Sequence, residues 1–401
     1  VGPFELVSCH ELRSRLHGSK AVARHDGLKF ANILGDVRAL HRDRSNEGAV
    51  FQVASQFNCL EMLEPGVTPL HGITDYAKDA TQGPACAMSC PAGTLFRNYF
   101  VNGVGQGHHQ LDGLSDAAKA LDNDRNKYWK MSNGYCLPAS QGSLASLKQR
   151  LQTEMRKDGS RLIDYVSSLV KVGVHWDTEV VGGSHRVCQV FASALPVAYA
   201  KSTPAGDWEP FARAVLNAAF EATLLAAALL AQHRQERVTV YLTAIGGGAF
   251  GNRTNWITDA MQAAMLQEDI LAAPLDVKLV HFGTTMPRGI YQEMEQSIQR
   301  KAKGTRPSDH HARGASKSML PAIGAASLQP VPPAPFATVP QGQPAASALC
   351  ASVPKGQPPP PAAAVPKGHA PAQAPFATDP PGAGLKSVAP DRTHHHRRDR
   401  R

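Results

Sequence analysis

The chain has 401 residues and a formal net charge of +9 at pH 7, and this charge is unevenly placed: residues 301–401 carry 13 Lys/Arg and four Asp/Glu, whereas residues 1–300 carry 29 of each sign. A neutral body argues against a basic nucleic-acid groove on residues 1–300. The longest apolar stretch is about half a bilayer span, which predicts a soluble protein without membrane contact. The chain has seven cysteines and no CxxC pair, which predicts a reduced cytoplasmic or nuclear setting.

Strand-like and helix-like segments alternate from residue 28 onward. Segments rich in β-branched and aromatic residues predict buried strands at Leu28–Leu34, Ala49–Ala54, Val187–Ser193, Val238–Ala244 and Val277–Phe282. Apolar helices are predicted at Trp208–Arg234 and Asn255–Glu268. Because helices separate the strands, the pattern indicates a layered α/β sheet. The stretch Leu63–Lys171 is interpreted as a large Gly- and Pro-rich insertion with a few short helices and a strand at Leu95–Val101.

Polar residues follow the first two predicted strands. Asp36 comes directly after Leu28–Leu34, and Asn58 follows Ala49–Ala54. Ligands of open α/β sheets bind at the carboxyl ends of strands, where Asp can accept hydrogen bonds and Asn can both donate and accept. We therefore expect Asp36 and Asn58 to lie at the same edge of the sheet. The alternative explains them equally well: Asp36 would cap a turn, and Asn58 would support a loop.

A segment of polar and small residues runs from Asp75 through Asp79 and Gly83 to Thr94. Its length and composition predict a functional loop that wraps a diphosphate, with an ordinary surface loop as the alternative.

A glycine-rich turn follows the strand Val238–Ala244. It consists of Gly246, Gly247, Gly248, Ala249, Phe250, Gly251 and Asn252. Glycine brings bare backbone N–H groups close to an anion, and the helix predicted behind the turn adds the positive end of its dipole. The turn is therefore predicted to hold phosphate, the alternative being a tight turn that serves packing alone.

Taken in order, these features resemble the macrodomain family. The resemblance looks closest to its divergent branch of poly(ADP-ribose) glycohydrolases and bacterial-effector ADP-ribosyl hydrolases. The matching segments are Gly35-Asp36-Val37, Phe51–Asn58, Thr81–Thr94 and Gly247–Gly251. The resemblance implies a three-layer, macrodomain-like α/β fold, in which helices flank a mixed sheet, over residues 1–303.

The resemblance also implies roles for individual residues. Asp36, with Val37 beside it, would contact the adenine amine, and Phe282 would flank the adenine. Asn58 would contact the distal ribose, with Phe250 beside it. Gly83 and the turn Gly246–Asn252 would hold the diphosphate.

The expected activity is removal of ADP-ribose from modified protein side chains, without a metal or other cofactor. Attack on the anomeric carbon needs a carboxylate that positions water or protonates the leaving group. The familiar Gln-Glu-Glu run of the glycohydrolases is absent, so the acid is sought by position. Asp79 and Asp75 are preferred over Glu61, and each has a solvated surface role as its alternative.

Three rival functions stay open at this point. The chain can be a reader that binds ADP-ribose without cleaving it, or a scaffold whose tail is the working part. A cysteine hydrolase built from Cys86, Cys90 or Cys136 with His175 and Asp177 has no local signature to support it. A zinc site from Cys86, Cys90, His108 and His109 fits no standard spacing.

Residues 304–401 are predicted to be a disordered tail. They are rich in Pro and Ala, repeat APFAT at 334 and 374, and end in a His/Arg cluster. We interpret this tail as solubilising, with an electrostatic hook or localisation signal as the alternative, and expect any contact with nucleic acid to be weak and confined to it.

Overall fold

The structure of the chain is a computed structural model that describes residues 1–18 and 27–304. The strands are β1 Phe4–Ser8, β2 Lys29–Leu34, β3 Val50–Ala54, β4 Trp129–Ser132, β5 Tyr135–Pro138, β6 Lys171–Glu179, β7 Arg186–Ala192, β8 Val238–Leu242 and β9 Leu275–His281. The helices are α1 Cys9–His17, α2 Val37–Arg42, α3 Gln82–Ser89, α4 Pro91–Tyr99, α5 Ser115–Ala120, α6 Ser143–Asp158, α7 Arg161–Leu169, α8 Ala205–Arg234, α9 Thr254–Met265, α10 Glu268–Ala272 and α11 Ile290–Gly304.

Seven strands form one mixed sheet in the order β1-β6-β7-β3-β8-β9-β2. The strands from β7 to β2 are parallel to one another, whereas β6 runs antiparallel to both of its neighbours. The strands β4 and β5 form a separate hairpin. Parallel strands need crossover connections, which helices provide here, so the carboxyl ends of β2, β3, β7, β8 and β9 all meet at one edge of the sheet.

Helices cover both faces of the sheet, as the alternation along β3 shows. Val50 belongs to the main core on the α8 face, and the amide of Gln52 donates to Ala219 O and Thr223 Oγ1 of α8. Val53 points the other way and packs with Cys86 of α3. A strand buried on both faces is apolar almost throughout. The predicted three-layer fold, with helices on both sides of a mixed sheet, is confirmed.

The helix α8 forms the centre of the larger core. Among the described residues it is the one helix whose length and composition would allow it to cross a membrane, and 83% of its apolar window is buried in the fold. Its Trp208, Phe211 and Phe220 are almost completely inaccessible to solvent. Because it is apolar on most faces and covered on them, we interpret α8 as a core helix.

Two predictions for the middle of the chain are wrong. The segment Leu95–Val101, predicted as a strand, lies mostly in α4, and the predicted small-residue loop contains α3 and the start of α4. Pro84 and Pro91 both lie in a first helical turn, where proline removes no helical hydrogen bond. The stretch 63–171 also holds the 16-residue helix α6, so it is more helical than expected. The predicted tail lies outside the described residues from residue 305 onward.

A candidate ligand-binding site at the carboxyl edge of the sheet

The carboxyl edge gathers chain segments that are far apart in sequence. Asp36 follows β2, Phe282 follows β9 and the glycine-rich turn follows β8. Since β9 lies between β2 and β8 in the sheet, the structure places Asp36 and the turn at the same edge, two strand positions apart. This edge is where open α/β sheets bind their ligands.

The glycine-rich turn is closed upon itself by Asn252. Its backbone N–H donates to Gly246 O at 2.9 Å, and its side-chain amide donates to Leu195 O at 2.8 Å. Gly246 has a φ of +79°, and a Cβ there would lie 2.5 Å from the Cβ of Ala194. Glycine is therefore required at this position both for its backbone conformation and for space. Asn252 is itself buried, which gives it a structural role in the turn.

The far side of the same turn presents amides that bind nothing in the protein. Within the described residues, no acceptor takes a hydrogen bond from the N–H groups of Gly248, Ala249 and Phe250, and Gly248 and Ala249 are exposed. The helix α9 begins directly behind, at Thr254, without a side-chain cap. Successive exposed amides before a helix N-terminus are a site that favours an anion.

The start of α3 is fixed onto the end of β3 by Gln82. Its side-chain oxygen accepts from Ala54 N at 2.8 Å, and its side-chain nitrogen donates to Gln52 O at 2.8 Å. The next residue, Gly83, packs so closely that a Cβ would lie 1.9 Å from Ala54 O. Thr81, the residue that precedes the helix, makes no side-chain capping bond. The first turn of α3 is therefore held at the carboxyl edge without a side-chain cap.

An aromatic cluster (Tyr135, Tyr199 and Phe250) lies beside the glycine-rich turn. The ring centroids of Tyr135 and Tyr199 are 5.6 Å apart, and those of Tyr199 and Phe250 are 5.4 Å apart. Burial, with the nearby carboxylates of Asp79 and Glu64, raises the pKa of Tyr199 above its usual range. The cluster thus brings three rings and two carboxylates together at one end of the site.

Two candidate acids, Asp75 and Asp79, belong to the segment that leads into α3. Asp79 Oδ1 accepts from Thr81 N at 2.7 Å, and its side chain is half-buried. Asp75 forms an ion pair with Lys78 at 2.6 Å, and its side chain is 49% exposed. Asp79 is therefore the better placed of the two, because it lies closer to the aromatic cluster and has no lysine partner.

The third candidate acid, Glu61, is buried with Arg97 beneath the site. Their closest atoms are 3.4 Å apart, both side chains are almost fully inaccessible, and the guanidinium lies 3.5 Å from the Phe191 ring centroid. Burial outweighs Arg97 and raises the pKa of Glu61 to about 7. A carboxylate so enclosed holds the segment after β3 against α4. It also packs beneath the first turn of α3, where a Cβ at Gly83 would lie 3.3 Å from Glu61 Cγ.

Asn58 is also buried. Its side-chain nitrogen donates to Gln110 Oε1 at 2.9 Å, and its oxygen accepts from Leu60 N at 3.1 Å. A Cβ at Gly134 would lie 2.5 Å from this amide, so there is no space for a sugar beside it. Asn58 is completely inaccessible to solvent, so it presents no open amide to a ligand.

The residues predicted to bind adenine lie at the β2 end of the site. Asp36 caps α2, and its Oδ1 accepts from Arg38 N at 2.7 Å and Ala39 N at 3.3 Å. Val37 packs with the small core next to Phe51. Phe282, which follows β9, is 75% exposed and leaves an uncovered ring at this end.

The three candidate cysteines do not form a nucleophilic site. Cys86 and Cys136 are completely buried, and burial raises the pKa of both thiols, while it raises the pKa of Cys90 to about 12. A catalytic cysteine needs a lowered pKa and access to solvent. Within residues 1–18 and 27–304, no group of three or more His, Cys, Asp or Glu side chains could hold a metal ion.

A polar cavity of about 460 Å³ lies at the opposite end of the sheet. It is lined by Glu47, Gly48, Asp177, Arg186, Arg234 and Glu236. Arg186 pairs with Asp177 at 2.8 Å, and Arg234 donates to Gly48 O at 2.7 Å. Because its arginines are bonded within the protein and no aromatic ring lines it, we interpret this cavity as a solvated set of surface ion pairs.

Several site residues were missed by sequence reasoning. They are Arg38, Glu64, Gln82, Tyr135 and Tyr199. Of these, Tyr135 and Tyr199 carried no signal, because only the packing of the β4–β5 hairpin and of the segment after β7 brings them together. Gln82 lies in the segment from Asp75 to Thr94, which was predicted to be functional but was predicted as a loop.

No family model matches the chain, and no curated protein matches it. Solved structures that match it include the poly(ADP-ribose) glycohydrolase of Thermomonospora curvata, with 13% identity, a TM-score of 0.34, and coverage of 74% of this chain and 85% of that one. The glycohydrolase of Deinococcus radiodurans in complex with ADP-ribose matches with 10% identity, a TM-score of 0.38, and coverage of 75% and 94%. At TM-scores below 0.5, function has to be inferred from the chain's own residues.

Proposed function

We propose that the chain binds ADP-ribose at the carboxyl edge of its sheet and hydrolyses the glycosidic bond that joins the distal ribose to a protein side chain. The observation that carries the proposal is the row of amides at Gly248, Ala249 and Phe250 that have no acceptor among the described residues, at the same edge of the sheet as the first turn of α3. Asp36 and Phe282 lie towards one side of these amides, and the aromatic cluster lies on the other.

The diphosphate fits the middle of the site. Exposed amides and helix N-termini stabilise phosphate oxygens without requiring a lysine. At the β2 end, the ring of Phe282 offers a face on which adenine can stack, and Asp36 offers an acceptor for its exocyclic amine.

The distal ribose would lie against Phe250 and Tyr199, within reach of Asp79. In the proposed reaction the Asp79 carboxylate orients a water molecule and takes up its proton as the oxygen attacks the anomeric carbon. The bond from that carbon to the side chain breaks, and the departing side chain takes a proton from solvent. Free ADP-ribose and the unmodified side chain are the products.

A non-catalytic reader is the second candidate. Asp79 Oδ1 already accepts a hydrogen bond from Thr81 N, and Glu61 is buried with Arg97. Both carboxylates thus have partners within the protein, as expected for a site that binds without catalysis.

Calorimetric titration of the full chain with ADP-ribose tests the binding step, with ATP and NAD as competing ligands. We expect micromolar affinity for ADP-ribose and weaker binding of the other two. Release of ADP-ribose from an ADP-ribosylated protein then tests catalysis. Binding without release would favour the reader, and absence of binding would exclude both candidates.

A further inference from the structure

Arg38 lies between the two ends of the candidate site. It is the second residue of α2, the helix that Asp36 caps, and α2 packs against α3. Its guanidinium is half-buried and donates from Nη2 to the backbone oxygen of Asp79 at 3.4 Å. Arg38 therefore connects the turn after β2 with the segment that leads into α3.

The guanidinium of Arg38 forms no ion pair within the described residues. The two carboxylates around it are bonded elsewhere, since Asp36 accepts from the first amides of α2 and Asp79 accepts from Thr81 N. Other partly buried arginines are paired, as Arg150 is with Asp122 and Arg213 with Asp259. An arginine has five N–H donors, and here only one of them has an acceptor within the described residues.

A cation at this place would offset the carboxylates around it. Asp36, Asp79 and Glu64 would repel a diphosphate. Another nearby cation, Arg253, is exposed at the start of α9. Lys78 is paired with Asp75. A guanidinium with open donors is suited to phosphate oxygens, because its planar fork can donate two parallel hydrogen bonds.

We propose that Arg38 binds the diphosphate of the ligand and offsets the surrounding carboxylates. This inference rests on the proposed function, because it takes ADP-ribose as the ligand. It assigns the charged part of the ligand to a side chain, in addition to the backbone amides of the glycine-rich turn. The affinity for ADP-ribose should then depend less on ionic strength when this side chain is removed.

The test is calorimetry with ADP-ribose and with adenosine, which lacks phosphate, on the full-length chain and three variants. Arg38→Gln should weaken ADP-ribose binding about tenfold or more, the usual effect of losing a charge-assisted hydrogen bond. It should leave adenosine binding unchanged. Arg38→Lys should recover part of the affinity, because it restores the charge. Arg42→Gln removes the same charge from the exposed last turn of the same helix and should bind as the wild type does.

Ionic strength separates a direct charge effect from a change in shape. Raising NaCl should weaken ADP-ribose binding to the wild type and to Arg42→Gln more than to Arg38→Gln. Equal ADP-ribose affinity of Arg38→Gln and wild type would overturn the inference, and so would an equal loss of adenosine binding. If the wild type binds no ADP-ribose at all, the proposed function itself fails. This result differs from normal ADP-ribose binding by Arg38→Gln, which would overturn only the inference about Arg38.

Discussion

At the scale of single residues, Asp79 is the side chain on which the proposed hydrolysis depends. It lacks the lysine partner that Asp75 has, and its charge acts on Tyr199. A carboxylate in this setting can orient water beside the distal ribose, whereas the carboxylate of Asp75 is paired with Lys78.

We therefore predict that Asp79→Asn slows the release of ADP-ribose about a hundredfold or more, the usual contribution of a general base. ADP-ribose affinity should change by less than about threefold, since an amide keeps the size and one acceptor. The measurement is single-turnover release from a modified protein, with calorimetry of the product. Asp75→Asn is the matched control and should retain most of the activity. Equal losses in both variants would argue that neither carboxylate is the base.

Gly246 sets the shape of the glycine-rich turn. Gly182 offers a comparison, because its φ of +70° is similar but no atom lies within 4 Å of an added Cβ. We predict that Gly182→Ala costs about 1 kcal/mol of unfolding free energy, from the backbone conformation alone. Gly246→Ala should cost about 3 kcal/mol, because its Cβ also meets Ala194, and it should abolish ADP-ribose binding. Urea unfolding measures the loss of unfolding free energy, and calorimetry measures ADP-ribose binding. Similar values for Gly182→Ala and Gly246→Ala would contradict the prediction.

At the scale of elements, the site depends on how α3 is held. The side chain of Gln82 forms two hydrogen bonds of 2.8 Å with the backbone of β3, one with Ala54 N and one with Gln52 O. The helix therefore starts at a fixed position against the carboxyl end of β3.

Replacing Gln82 by Ala should lower the unfolding free energy by about 2 kcal/mol, because two backbone groups lose their partners. ADP-ribose affinity should fall several-fold as the start of α3 loosens. Asn123 is the matched control, because its side chain bonds the backbone of Tyr128 and Trp129 in the same two-sided way, away from the site. Asn123→Ala should destabilise the fold in urea but bind ADP-ribose normally. Normal binding by Gln82→Ala would show that the anchor has no part in the site.

The elements that sequence could predict are those with a local signature. The strands β2, β3, β7, β8 and β9 are short runs of β-branched and aromatic residues, and the glycine-rich turn is visible in sequence because φ > 0 restricts it to glycine. The strand β6 escaped notice because Gly173 and His175 interrupt its pattern. The helix α3 and the start of α4 read as a loop because small residues and proline dominate them, and the rest of α4 read as part of a strand, Leu95–Val101. Tertiary packing alone decides which rings line the site.

At the scale of the whole molecule, stability should respond to acid through buried histidines. His41 stacks on Phe51 with ring centroids 3.7 Å apart, and its Nε2 faces the amide nitrogen of Gln189 at 3.1 Å. Burial lowers the pKa of His41 to about 4. Between pH 6.5 and about 4 the unfolded chain binds a proton that folded His41 does not, so stability is lost as pH falls through this range.

Glu61 acts in the opposite sense over an overlapping range, because its raised pKa makes stability fall as pH rises towards 7. The contribution of Glu61 is the same in the wild type and in His41→Gln, so it cancels when the unfolding free energies of the two proteins are compared. We predict that the stability difference between wild type and His41→Gln narrows by about 3 kcal/mol from pH 7 to pH 4. Urea unfolding at half-unit pH steps measures it, and a constant difference would mean that His41 titrates normally in the fold.

The position of β9 in the sheet has a consequence for synthesis. It is the last strand in the part of the chain that the structure describes, yet it lies between β2 and β8, and β2 has no other sheet neighbour there. A growing polypeptide therefore leaves its second strand without a partner until residue 281 has left the ribosome. We expect nascent fragments that end before β9 to be unable to retain ADP-ribose. Binding of ADP-ribose would then distinguish chains that contain β9 from shorter fragments.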